Sequence, residues 1–457
     1  MSDHHPASLA ERPIERIRRP IDRVIHLENI SGFALIGGAV LALVLANSLW
    51  SESVAHFWHQ HLVVSVGPWV VDESLVHWVN DALMAIFFFV AGLEIKRELV
   101  AGDLRNPRKA ALPVVAAIGG MVVPALLFVL VAGSEARSGW GVPMATDIAF
   151  AVGVLTLLGD RVPSKLKMLL LTLAIVDDLG AIIVIAVFYT ASLNVTALMV
   201  GVGIVGAMVV LRALGVWWMP IYVLAGTALW FALFESGVHA TLAGVICGLL
   251  APAKPRRPHE TSAVAAEHLT VEELKSIVFD TRESRSVVDR LIHGIHPFSA
   301  LLIVPIFAMA NTGVPVSLGA ITASAGSSAS QAIAVGLVVG KPLGITLAAF
   351  LAVKGGLASL PDGITWRHMI GLGCLGGIGF TVSLFITELA FTSETIVDEA
   401  KLSVLAGSVA AATLGVLILR GAGNIQTDPG PISFRELDAT LPASLVAPVA
   451  AERVHTN

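Results

Sequence analysis

Two adjacent carboxylates interrupt one of the most apolar stretches of the chain. Asp177 and Asp178 lie within LTLAIVDDLGAIIVIAVF, residues 171–188, which holds no other charged residue. Neighbouring residues of an α-helix point about 100° apart, so the two side chains can share one cavity while they face different partners. Carboxylates in such a setting can hold a proton or bind a cation, if other elements position groups around them.

Two further charged residues, Asp147 and Lys341, also lie inside apolar stretches. Each such charge costs ~2.5–3.5 kcal/mol at the centre of a membrane helix, so the four cost on the order of 10 kcal/mol together. One alternative is that these residues form a structural ion pair and that a remaining acid caps a helix. However, three acids and one base leave carboxylates without a basic partner. A cation or proton site is the usual meaning of such residues.

The composition indicates a membrane protein. Of 457 residues, 55% are hydrophobic and 14% are charged, against about 25% charged residues in soluble domains. The net charge of -5 indicates no particular partner, and the two cysteines form no disulfide framework or metal site. A run of about 20 apolar residues crosses a bilayer as a helix. We predict an all-α polytopic membrane protein with about twelve spans, at roughly 30–50, 75–95, 111–133, 142–159, 166–190, 194–212, 219–235, 237–252, 297–314, 329–351, 368–390 and 400–420.

The basic residues set the predicted orientation. With the N-terminus in the cytoplasm, nearly all Lys and Arg fall on the cytoplasmic side, and the opposite side holds only Arg137 and Lys401. Both termini are therefore expected in the cytoplasm. The predicted domains are a cytoplasmic N-terminal arm (1–29), a transmembrane domain (30–420) with a long cytoplasmic loop (253–296), and a disordered cytoplasmic tail (421–457).

Spans four and eleven are predicted to be interrupted near mid-membrane. Pro143 precedes Thr146 and Asp147 in span four, and in span eleven five glycines of GLGCLGGIGFTVS precede Thr381. Glycine in a helix interior costs ~1 kcal/mol relative to alanine, although glycines also permit close helix packing, which is the alternative. An acid such as Asp147 and a base such as Lys341 would offset the partial charges of helix ends at that depth.

The order of the spans adds a topological argument. Spans 3–5 and 10–12 run in opposite senses, and each group has an interrupted middle member. Paired interrupted helices in two inverted halves are typical of the substrate site of a secondary transporter.

Two other features lie on the outer side. The stretch HLVVSVGPWVVDE, residues 61–73, alternates weakly and predicts a short hairpin. The nearby His56, His59 and His61 lack an acid partner in the sequence pattern, so we expect them to be solvated rather than bound to a metal.

Rival classes fit the residues less well. An intramembrane aspartyl protease needs two carboxylates that share a proton, brought from separate helices, whereas these are adjacent and no G-x-G-D motif occurs. An ATP-driven pump needs a phosphate loop, and the nearest stretch has Val335 and Pro342 at positions that require Gly and Ser or Thr. A proton channel or another sodium-coupled carrier remains open, and a flux assay with defined ions distinguishes them.

Seven stretches together resemble the bacterial NhaA sodium/proton antiporters, over about residues 30–420: FFFVAGLEIKREL, GVPMATDIAFAVGVL, LAIVDDLGAII, SGVHATLAGVI, VPIFAMANTGV, GKPLGI and GIGFTVSLFI. These antiporters are themselves a standard example of inverted repeats, so the resemblance and the topology are not independent. The resemblance implies a multi-pass protein of the bacterial inner membrane that forms a homodimer through the outer hairpin. It implies no enzymatic activity, no cofactor and no nucleic-acid partner.

The resemblance also assigns roles to residues. Asp177 and Asp178 would bind Na⁺ or Li⁺ and carry protons. The supporting residues at the crossing of the broken helices would be Thr146, Asp147, Lys341 and Thr381. Internal Na⁺ would exchange for external H⁺, with net charge movement and pH regulation, for sodium and pH homeostasis. If Lys341 pairs with Asp177, it can be the second proton carrier in place of that carboxylate.

The residues linked to pH control are the least secure part of the resemblance. Glu94, Glu98 and His239 match the family pattern, but an ordinary interfacial helix end is the alternative for the two acids. The loop at 253–296 and both termini look long for the family. Ile292 stands where we would expect an acid.

Overall fold

A computed structural model of the chain describes residues 31–422, except for 67–68, 191–192, 217 and 254–285. The predicted N-terminal arm, most of the predicted loop at 253–296 and nearly all of the predicted tail lie outside the described residues. The predicted division into domains is therefore still a prediction.

The described chain is almost entirely helical, which confirms the predicted fold class. In chain order the helices are α1 (Ser31–Ala46), α2 (Ser51–Trp58), α3 (Leu75–Ala101), α4 (Pro107–Val131), α5 (Ile148–Leu157), α6 (Ser164–Phe188), α7 (Val195–Ala213), α8 (Met219–Ser236), α9 (Leu242–Leu250), α10 (Val287–Asn311), α11 (Leu318–Gly326), α12 (Ser328–Lys354), α13 (Trp366–Gly376), α14 (Phe380–Ala390) and α15 (Glu394–Arg420). Short 3₁₀ segments cover Asp103–Arg105, Ser134–Met144 and Gly159–Arg161. π-turns lie within α3 (Val79–Leu83), α10 (Ser299–Ile303) and α12 (Gly336–Gly340).

The number of spans differs from the prediction. Among the described residues, eight helices are long and apolar enough to cross a membrane, and three bent pairs raise the number to eleven. The predicted eighth span, 237–252, contains only the nine-residue helix α9, which rises about 14 Å against the ~30 Å of a bilayer core. Span nine begins at Val287 rather than near residue 297, so the last part of the predicted loop is helical.

Spans four and eleven are interrupted, as predicted. The 3₁₀ segment Ser134–Met144 meets α5 at 54°, and α13 meets α14 at 46°. The alternative explanation of the glycines also holds for part of the run. A Cβ at Gly373 would lie 2.9 Å from the backbone of Pro342, so this glycine lets α13 pack closely on α12.

The two inverted groups have the same plan. Each consists of a long helix, an interrupted helix and a second long helix: α4, the pair ending in α5, and α6; then α12, the pair α13–α14, and α15. The long helices α4 and α12 touch through their backbones at Gly119 and Gly344, where an added Cβ on either residue would overlap the carbonyl oxygen of the other. This contact joins the two groups.

The predicted hairpin at 61–73 is confirmed, whereas its placement on the outer side is still a prediction. Strands β1 (His61–Val66) and β2 (Trp69–Ser74) pair antiparallel, with Val64 opposite Val71. The expectation that the neighbouring histidines lack an acid partner is wrong for His61, because its Nδ1 lies 2.7 Å from Asp72 Oδ1 across the strands. The pairing of the two strands brings His61 and Asp72 together, and this proximity is not visible in the linear sequence.

The contact between α4 and α12 yields a stability prediction. Gly344→Leu should lower the melting temperature of the purified protein, because the new side chain collides with the Gly119 backbone and overpacking costs about 1–3 kcal/mol. Gly206→Leu is the matched control, since nothing lies within 4 Å of a Cβ on this α7 glycine. Equal melting temperatures for the two variants would contradict the backbone contact.

Candidate cation site

The two interrupted helices meet at their breaks. The backbone N–H of Asp147 donates to Ile378 O over 2.6 Å, and Thr146 Oγ1 donates to Gly376 O over 2.8 Å. Helix α6 passes the same point and brings Asp177 and Asp178, which are 1% and 7% exposed. The structure therefore brings the predicted carboxylates to the crossing of the broken helices.

Asp147 lies between two helix N-termini. Its Oδ1 accepts from Phe150 N over 2.9 Å and so caps α5. Its Oδ2 accepts from Thr381 N at 3.1 Å and from Thr381 Oγ1 at 2.7 Å, in the first turn of α14. A helix N-terminus carries about +0.5 charge, so one carboxylate offsets both ends. Both carboxylate oxygens of Asp147 thus already accept hydrogen bonds from the two helix N-termini.

Lys341 pairs with Asp177 and not with Asp147. This fully buried residue follows the π-turn of α12, and its Nζ donates to Asp177 Oδ2 at 2.5 Å and to Thr146 Oγ1 at 3.0 Å. Thr146 in turn donates to Gly376 O at the C-terminal end of α13. The ammonium therefore stabilises the negative end of a broken helix through one hydroxyl, and also an adjacent carboxylate.

Asp178 has a different environment from its neighbour. Its Oδ1, like Asp177 Oδ1, is buried and accepts no hydrogen bond from the described residues. The charged groups that act on Asp178 include three carboxylates, Asp177, Glu94 and Asp147, against the single base Lys341. A buried carboxylate with so little compensation is expected to take up a proton or a cation.

The donor set suits a hard cation. Carboxylate, hydroxyl and carbonyl oxygens favour ions such as Na⁺ over softer metals. Within the described part of the chain, no group of three or more His, Cys, Asp or Glu side chains is placed to hold a metal. The two free carboxylate oxygens of Asp177 and Asp178 would therefore share a cation with hydroxyl, carbonyl or water oxygens.

The two acids of α3 have separate surroundings. Glu94 acts on Asp178 and has its Oε1 3.8 Å from His296 Nε2 of α10. Glu98 accepts from Asp103 N at 3.1 Å, just beyond the end of α3, and lines a cavity of about 610 Å³. Glu98 thus has the ordinary helix-end contact that was the alternative, whereas Glu94 contacts His296 of α10 and its charge contributes to the electrostatics of Asp178.

The structure does not bring His239 to these acids. His239 Nε2 lies 2.7 Å from Tyr189 O, just after the end of α6. Glu98 lies near the end of α3. Because α3 and α6 run antiparallel, these two residues lie at opposite ends of the helices. The three residues predicted for pH control therefore do not form one cluster.

Sequence reasoning missed two contributors and misjudged a third position. His296 lies in a stretch that drew attention only for its missing acid, and Tyr189 gave no signal at all. Its hydroxyl donates to Ser138 O at 2.8 Å and accepts from Gly141 N at 3.1 Å, so it braces the 3₁₀ half of span four. Ile292 is 6% exposed in an apolar cluster with Leu93, which explains why an acid is absent there.

Known proteins were compared with this chain. The family described as Na⁺/H⁺ antiporter 1 matches residues 22–419. "Na(+)/H(+) antiporter NhaA 2" of Myxococcus xanthus is 46% identical over 438 residues, which cover 92% of each chain. "Na(+)/H(+) antiporter NhaA" of Oleidesulfovibrio alaskensis is 44% identical, with 92% of this chain and 98% of the relative covered. The protein of that name from Rhodopirellula baltica is 46% identical over 89% of this chain and 95% of its own.

The family match runs through all the described helices up to the end of α15, and it includes the broken helices and the carboxylates at their crossing. Identities of 44–46% over about nine-tenths of the chain agree with it. This chain therefore belongs to the Na⁺/H⁺ antiporter 1 family, the NhaA antiporters.

Proposed function

We propose that this protein exchanges intracellular Na⁺, or Li⁺, for external H⁺ across the bacterial inner membrane, and that Asp177 and Asp178 form the exchange site. Membership of the antiporter family and the membrane-spanning helices support a multi-pass transporter, and we propose no enzymatic activity for it. The observation that carries the assignment is the pair of buried oxygens, Asp177 Oδ1 and Asp178 Oδ1, that accept no hydrogen bond from the described residues.

Exchange follows from competition at one site. A proton on Asp178 removes the charge that binds sodium, and bound sodium excludes the proton. Only one of the two can therefore cross at a time, and rocking of one helix bundle against the other exposes the site to each side in turn. Thr146, Asp147, Lys341 and Thr381 support the site by holding the crossing of the broken helices.

The second proton has two possible carriers. Sodium bound at Asp177 weakens the attraction between this carboxylate and Lys341, which favours loss of a proton from the ammonium. Alternatively, Asp177 itself carries the proton. The Lys341 to Asp177 ion pair supports the first route. Both routes move two H⁺ against one Na⁺, so one net charge crosses in each cycle.

Regulation by pH is assigned to Glu94, Glu98 and His239. The contact of Glu94 with His296 at 3.8 Å and its electrostatic influence on Asp178 support a role for this residue. Both termini are proposed to be cytoplasmic, on the basis of the Lys and Arg distribution.

A homodimer is proposed through the hairpin β1–β2, whose Leu62, Val63 and Val70 are exposed.

The first test concerns the pair of carboxylates. Asp178→Asn should abolish Na⁺-driven proton release from acid-loaded inverted vesicles, because an amide cannot cycle a proton. The control is Asp362→Asn, which changes a fully exposed residue of the segment between α12 and α13 and should leave exchange intact. K⁺ in place of Na⁺ should give no release. Normal exchange in a well-inserted Asp178→Asn protein would refute the assignment.

The second test concerns pH. Acidification should raise the apparent KM for Na⁺ steeply, because protons and sodium compete for the same carboxylates. Rates are measured at several Na⁺ concentrations at each pH, and saturating Na⁺ should restore much of the rate lost on acidification. A KM that stays constant over about two pH units around neutrality is incompatible with competition at titrating acids.

The third test concerns charge. One net charge per cycle gives the membrane potential a driving force of about 2.3 kcal/mol per 100 mV. Protein in sealed vesicles is measured with the potential clamped by a potassium ionophore, and an imposed potential should accelerate or slow exchange according to its sign. Exchange that neither generates nor responds to a potential would mean that only one group titrates.

A further inference from the structure

A groove between α12 and α13 lies outside the exchange site. It encloses about 290 Å³ and is lined by Leu343, Thr346, Leu347 and Phe350 of α12 and by Trp366, the first residue of α13. The spacing of the four α12 residues places them on one face of the helix. Leu343, Leu347 and Phe350 are 42–50% exposed, so the open side of the groove faces the surroundings of a membrane-spanning helix, which are lipid.

A cation lies at one end of the groove. Lys354 follows Phe350 by one helical turn, and its Nζ is 5.9 Å from the centre of the Phe350 ring. The same ring packs edge-on against Trp366, with centroids 5.4 Å apart. Among the described residues Lys354 forms no salt bridge. The ammonium is thus held at the mouth of the groove and available to an anion.

The helix end at the mouth of the groove also suits a phosphate. Trp366 begins α13, so the positive N-terminal end of that helix lies at the mouth, and such ends attract phosphate. The capping box of Thr365 and His368 occupies two of the backbone N–H groups at this end, so the charge of Lys354 and the helix dipole, rather than the capped N–H groups, favour an anion there.

We propose that this groove binds one anionic phospholipid, with an acyl chain along Leu343 and Leu347 and the phosphate at Lys354. The groove is apolar, shallow and open along its side, which suits part of a single acyl chain. A second protein is not favoured, since the apolar lining is a narrow strip of four residues of α12 and one of α13 with Lys354 at one end. The net negative charge of the headgroup distinguishes the expected ligand from a zwitterionic lipid.

The fluorescence of Trp366 tests the proposal. Wild type and Trp366→Phe are reconstituted in vesicles that contain either brominated phosphatidylglycerol in unlabelled phosphatidylcholine, or the reverse labelling at the same mole fractions. Bromine quenches tryptophan on contact, and the difference between the two proteins isolates Trp366 from the other eight tryptophans of the nine in the chain. We expect about fivefold enrichment of phosphatidylglycerol at Trp366, equivalent to the ~1 kcal/mol that one lysine contributes near anionic lipid.

Two lysine variants, each made with Trp366 and with Trp366→Phe, complete the test. Lys354→Gln should abolish the enrichment. Lys109→Gln should retain it, because this exposed lysine, 3.6 Å from Asp103, lies at the same end of the antiparallel α4–α12 pair but outside the groove. Equal quenching by both lipids in wild type, enrichment that survives in Lys354→Gln, or loss of enrichment in Lys109→Gln would each overturn the proposal.

Discussion

The cost of charge inside a membrane governs the arrangement at the centre of this protein. Four ionisable side chains meet in the buried interior of the helix bundle, and a buried charge persists only if other charges or dipoles compensate it. The two interrupted helices supply part of that compensation, because their ends carry opposite partial charges at mid-membrane depth. Asp147 uses two N-termini, and Lys341 reaches a C-terminus through Thr146. Asp178 is the group that this scheme leaves least compensated, and the proposed exchange depends on it.

Much of this could be predicted because the relevant signals are local in the sequence. A charge in an apolar run is conspicuous, and a proline or a glycine run marks an unwound backbone. The direction in which each span crosses the membrane follows from its number in chain order. These three signals were enough to predict the membrane fold and the two interrupted helices, whereas the meeting of Asp147 with Asp177 and Asp178 at the crossing was predicted from the family resemblance.

The remainder depends on distances that a linear sequence does not encode. The choice of Asp177 as the partner of Lys341 is set by the reach of the lysine side chain from α12 to α6. The separation of His239 from Glu94 and Glu98 follows from the antiparallel course of α6 and α3. Helix α9 is short because the chain turns at Gly237, which adopts a positive φ of 76° and ends α8. The apolar sequence continues through this turn, so hydropathy alone predicts a full span at 237–252.

The capping by Asp147 also has a consequence for the symmetry of the two halves. Their backbones follow the same inverted plan, yet the carboxylate that serves the N-terminus of α14 comes from the first half, while the second half has only Gly377, Ile378 and Gly379 at the matching break. Two copies of the second half would leave both helix N-termini without this acid. The halves are therefore complementary in chemistry although they are similar in backbone plan, and the second half depends on a side chain that the first half supplies.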